Sequence, residues 1–106
     1  MESKHIIVLV TTPNNEEAQK IAQAILGNRK AACVNIINKV NSTYWWLDKI
    51  ESSEESMLVI KTEVRLLNAL TELVKKNHSY AMPELIALPV VGGNPDYLKW
   101  LEKTLR

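Results

Sequence analysis

The order in which two periodicities alternate most constrains this chain. Short runs rich in β-branched residues are separated by stretches whose apolar residues recur at spacing three and four. His5 to Thr11 is continuous and apolar at its centre, which predicts a strand buried on both faces. Ala18, Ile21, Ala22, Ile25 and Leu26 then fall on one helical stripe. Asn14, with Glu17 three residues on, predicts an N-cap and capping box. Gly27-Asn28 predicts a stop in the left-handed conformation. Ala31 to Leu47 is β-friendly with imperfect alternation, and its Ile36-Ile37 pair predicts a bulge or a second buried face. A turn at Asp48-Lys49 returns the chain through the polar patch Glu51-Ser52-Ser53-Glu54-Glu55 into a clear strand, Met57 to Thr62. Thr62 or Glu63 is expected to start the second helix, whose stripe is Leu66, Leu67, Leu70, Leu73 and Val74. Leu85 to Val91 is the last main strand. Its Pro89 cannot donate to a ladder and belongs at an edge or a bulge. Asn94-Pro95-Asp96 opens a terminal helix, with Asn as cap, Pro at the first position and acid in the first turn.

That order, β-α-β-β-α-β-α, predicts the α+β class: a ferredoxin-like split β-α-β sandwich with an antiparallel sheet, helices on one face and an extra C-terminal helix. The 106 residues fit one domain, 1–106. The other sheet face receives apolar residues from runs that alternate poorly, so the chain is expected to oligomerise through it.

Composition removes several function classes. The chain is 46% hydrophobic and 24% charged, which argues against disorder. Net charge is +1 with both signs mixed, so no basic face for nucleic acid is expected. No stretch approaches the roughly 20 apolar residues of a membrane span. The N-terminus lacks the pattern of a signal peptide. The single cysteine, Cys33, fits a reducing compartment, and the reading is of a cytoplasmic protein. Cys33 between Ala32 and Val34 reads as a small core residue. His5 reads as terminal and exposed.

Chemistry-bearing groups concentrate in Asn77 to Glu84, where Pro83 pushes Met82 towards extended geometry. The bland reading is a helix-to-strand connection whose polar groups face water. No phosphate-binding glycine loop, dinucleotide fingerprint, H-E-x-x-H or C-x-x-C is present. A Ser79-His78 catalytic pair fails, because neighbours in an extended segment point to opposite faces. The chain therefore reads as no enzyme, with no required cofactor.

Thr11-Thr12-Pro13, Ala31-Ala32-Cys33-Val34-Asn35, Tyr44-x-Trp46, Glu55, Lys61-Thr62, His78-x-Tyr80, Pro83-Glu84 and Tyr97-Leu98-x-Trp100 fall in an order and spacing that resembles the CutA family of divalent-cation tolerance proteins. The resemblance covers nearly the whole chain. It implies a ferredoxin-like subunit similar to the PII signalling proteins and a compact homotrimer with its sheets packed inward. It also implies a role in tolerance to copper and other divalent ions. Animal relatives are associated with acetylcholinesterase membrane anchoring, so a scaffold that stabilises a partner protein, with no metal role, is the alternative. The family's glycine after the tryptophan is Asp48 here, and the proline between His and Tyr is Ser79. Positions aligned with copper ligands proposed in some members hold Val10, Asn77 and His78. Only His78 is a metal ligand, so Cu(II) or another divalent cation is expected to bind weakly, if at all. Tyr44 and Trp46 share a strand face. With Glu55, Lys61, His78, Tyr80 and Glu84 they are expected to line clefts between subunits that take an ion or a small ligand.

Overall fold

The computed structural model describes residues 4–106. Strand β1 (His5–Thr12) lies between β3 (Lys49–Glu63) and β4 (Leu85–Pro89), and β2 (Cys33–Trp46) pairs with the far side of β3, giving a four-stranded antiparallel sheet of order β2-β3-β1-β4. Ile6, Val8 and Val10 of β1 and Leu58 and Ile60 of β3 turn to one face and are buried. Helix α1 (Asn15–Gly27) covers that face with Ala18, Ile21, Ala22 and Ile25, and α2 (Leu67–Asn77) adds Leu70 and Val74. The helical stripes read from the sequence are thus the core, and burying them drives the two layers together.

Local chemistry sets the helix ends, with two departures from expectation. The Asn14 side chain accepts from the Glu17 amide at 2.8 Å, as a cap should. The left-handed residue after α1, however, is Arg29 (φ 59°), not Gly27 or Asn28. The Lys30 amide donates to Ile25 and the Arg29 amide to Leu26, the paired bonds of a Schellman stop. Arg29 repays its backbone strain through its side chain, which donates to the Thr104 carbonyl at 3.3 Å. Second, β3 runs on to Glu63, and a 3-10 turn (Val64–Leu66) precedes α2, so the helix begins later than the leucine spacing implies. Helix α3 (Pro95–Thr104), the extra C-terminal helix, packs apart from the other two. Its Leu101, with Leu105 just beyond it, packs on Leu66 and Ala32 at the end of the sheet, and its Tyr97 reaches Cys33 on the opposite face. Cys33 is accordingly half-buried on that open face rather than in the core. Pro89 sits on an edge strand, as its missing donor requires.

Strand β2 (Cys33–Trp46) is the element on which the site depends. Its register against β3 shifts between the pairs Ile37↔Met57 and Val40↔Glu55, so Asn38 and Lys39 together oppose Ser56. Lys39 takes φ 59°, and Ser56 Oγ donates to Asn38 Oδ1 at 2.8 Å. Such a bulge changes which residues of the strand face which side. Before it, Cys33, Asn35 and Ile37 look to the open face; after it, Val40, Ser42, Tyr44 and Trp46 do. Beyond the bulge β2 and β3 pair only with each other, as an arm that closes at Leu47-Asp48, both left-handed (φ 49° and 62°). The arm stretches the molecule to 44 × 29 × 23 Å.

Candidate functional site

The bulge, the arm and the α2–β4 connection together make a cleft. Even-numbered residues after the bulge bring Tyr44 and Trp46 to the face that carries Glu55 and Met57. The connection brings Tyr80, Met82 and Glu84 against them. The resulting cavity is about 760 Å³ and open on one side. Thr11, Val40, Ser42 and Met57 also line it; a reading of the sequence misses them because only the bulge and the strand register put them there.

His78 organises the connection from beneath. Its ring is wholly buried. Nε2 donates to the Thr11 carbonyl at 2.7 Å, Nδ1 accepts from the Tyr80 amide at 3.1 Å, and Glu17 Oε2 lies 3.3 Å from Nδ1. Ser79 adds what a proline could not: its amide and its hydroxyl both donate to Glu17 Oε2, each at 3.0 Å. The segment is therefore held by hydrogen bonds rather than by a ring. Tyr80 stacks obliquely on His78, ring centroids 4.8 Å apart, and its hydroxyl donates to Glu55 Oε2 at 2.9 Å. Burial first, then the hydrogen bond to Glu55 and the nearby negative charge, push the Tyr80 phenol up to about 12. Glu55 is itself buried, whereas Glu84 is exposed. On the arm, the Tyr44 hydroxyl meets Ser53 Oγ at 3.2 Å.

Five of the seven expected site residues, Tyr44, Trp46, Glu55, Tyr80 and Glu84, thus share one cleft. His78 supports it without lining it. Lys61 is elsewhere: it lies on β3 opposite Cys33, six residues and roughly 20 Å along the strand from Glu55, beside a second cavity of about 220 Å³. Of the three positions compared with copper ligands, Val10 is core, and the Asn77 amide donates to its own helix at Leu73. His78 has both ring nitrogens engaged, so a metal there would have to displace the Thr11 or the Tyr80 bond.

The cleft, the bulged arm and the sheet order define a recognisable subunit. Residues 6–104 match the family model described as CutA1 divalent ion tolerance protein. The chain belongs to this family. It is 50% identical over 101 residues to Protein CutA 1, chloroplastic, of Oryza sativa, a match covering 95% of this chain and 57% of that protein. The chain thus spans little more than half the length of its plant relatives. It is 41% identical over 97 residues to the divalent-cation tolerance protein CutA of Thermus thermophilus, covering 92% and 94% of the two. Among solved structures, rice CutA1 superposes with a TM-score of 0.95 at 48% identity, covering 99% of this chain and 96% of that one. The Thermus thermophilus protein superposes at 0.94 and 39%, covering 96% and 99%.

These relatives correct one expectation. The rice protein and that of Arabidopsis thaliana are named chloroplastic, and the Archaeoglobus fulgidus structure is described as a periplasmic divalent cation tolerance protein. Relatives are thus named for compartments other than the cytoplasm, and a lone cysteine does not assign this chain to it. Among the described residues, no helix is long and apolar enough to cross a membrane.

Proposed function

We propose that this CutA chain is a homotrimeric binding module, not an enzyme, and that its cleft takes a cation. One observation carries the reading: among the described residues, two carboxylates, Glu55 and Glu84, line the cleft, and no Lys, Arg or His does. Tyr44, Trp46 and Tyr80 add aromatic walls, which favour a cation over an anion through their ring faces. The open side of the cleft is continuous with the uncovered sheet face, so a neighbouring copy docked there would close it. This fits the divalent-cation tolerance named for the family, with Cu(II) as the cation to test first. Binding is weak, because carboxylate and phenol oxygens are poor Cu(II) donors beside imidazole.

Calorimetric titration with CuCl2 tests this. Glu55→Gln with Glu84→Gln lowers the number of ions bound by one per chain while the far-ultraviolet spectrum stays that of the wild type. His78→Gln leaves the stoichiometry unchanged. Equal binding by wild type and the double Glu variant, or no binding by wild type, overturns the reading.

A further inference from the structure

At the end of the sheet away from the arm, metal-ligating side chains converge outside the cleft. His5 and Glu63 are direct cross-strand partners on β1 and β3. Glu102 reaches them from α3, with its Oε2 3.6 Å from His5 Nε2. One ligand atom from each of the three lies within 4.8 Å of the others. The backbone beneath is fixed on both sides: the Val64 amide donates to the Lys4 carbonyl at 2.9 Å, and the Val90 amide to that of His5 at 3.0 Å. A cation is already there. The Lys4 ammonium stands 2.5 Å from Glu102 Oε1 and 3.4 Å from Glu63 Oε2.

Glu63 shows what the cluster lacks. Its side chain is only 2% exposed. Oε1 accepts from Arg65 Nε at 2.8 Å, but Oε2, aimed at the cluster, accepts no hydrogen bond among the described residues. Leaving a buried carboxylate oxygen to a loose ion pair is costly, and direct coordination by a metal removes that cost. Lys4 is 59% exposed and sits at the mouth, so its ammonium can swing into water. A dication in its place would neutralise both carboxylates where the ammonium neutralises one.

We propose that His5, Glu63 and Glu102 bind a first-row divalent cation such as Zn2+, and that Lys4 is the internal cation it displaces. One imidazole and two carboxylates suit such a metal, leaving a further position for water. A tetrahedral zinc site has ligand–ligand edges of about 3.4 Å. Glu102, at 32% exposure on the surface of α3, is the side chain able to move inwards to meet that spacing. This site does not depend on the cleft.

The test is calorimetric titration with ZnCl2 in the Glu55→Gln/Glu84→Gln background, where the cleft no longer contributes. The expected result is one ion per chain. Adding Lys4→Met tightens binding roughly two- to fivefold, the size of one partly exposed ion pair. Adding Glu102→Gln weakens it roughly tenfold or more, as loss of a direct ligand should exceed loss of a supporting one. A site that merely needed the local fold would be weakened or unmoved by Lys4→Met. Absence of binding, no gain with Lys4→Met, or no loss with Glu102→Gln each overturns the proposal.

Discussion

The residue that joins core to cleft is Tyr80. Its hydroxyl is the donor to a buried carboxylate, Glu55, so Tyr80→Phe leaves that carboxylate short of a partner. The expected cost is about 1–3 kcal/mol in urea unfolding at pH 7, with little change in overall fold. The raised phenol also makes stability depend on pH in a definite direction. Folding favours the protonated phenol, whose ordinary value is 10.0 and whose folded value is about 12. The contribution is complete below pH 10 and is lost as pH climbs towards 12. At 37% exposure, solvent screens Tyr80, so the loss is modest. Unfolding midpoints measured at pH 9 and 11.5 should fall further in wild type than in Tyr80→Phe; parallel falls would contradict the assignment. Residue types in the sequence single out Tyr80 and Glu84, and the family resemblance adds Glu55; all three line the cavity. Residue types could not tell a lining side chain from a supporting one, so His78 was read as a ligand although its ring faces inwards. His5 was read as exposed for a similar reason: only the pairing with Glu63 and the arrival of α3 half-bury it.

At the level of elements, apolar spacing made both core helices legible, and the terminal helix start was fully written in Asn94-Pro95-Asp96: the Asn94 side chain accepts from the Asp96 amide at 3.0 Å. What spacing could not reveal was where strand hands over to helix. Thr62 and Glu63 are paired with β1, and that tertiary pairing overrides the local helical pattern. The arm's turn was also misplaced by one residue, because nothing in Leu47 announces a left-handed backbone. Leu47 adopts φ 49° while 81% exposed, so it bears strain with no packing in return. Two left-handed residues in a two-residue loop are what Asn-Gly supplies most readily. Replacing Leu47-Asp48 by Asn-Gly should stabilise the arm by about 1–2 kcal/mol and raise the thermal midpoint by several degrees. A lowered midpoint would mean that the Leu47 side chain makes contacts in the assembled protein.

Across the whole molecule, one sheet face carries the core and the other carries an uncovered apolar surface. Ile37, Ile86 and Leu88 are about half exposed on it, with Ile7, Leu9 and Val59 between them. Such a surface on a small domain marks an interface. Light scattering is expected to give the mass of three chains, and Leu88→Asp, which places a charge in that face, to give the mass of one with its helices intact. A single-chain mass for the wild type would remove the trimer. The bulge at Asn38-Lys39 has a consequence for how this architecture tolerates mutation. The facing of everything beyond it depends on these two residues sharing one partner. Deleting one of them would leave a single residue opposite Ser56 and keep Tyr44 and Trp46 on the cleft face, whereas keeping both but pairing Lys39 with Glu55 would turn the arm over and present Thr43 and Trp45 instead. The cleft is thus tolerant of a shortened strand and sensitive to a straightened one, which a β-branched residue in place of Lys39 at φ 59° would favour.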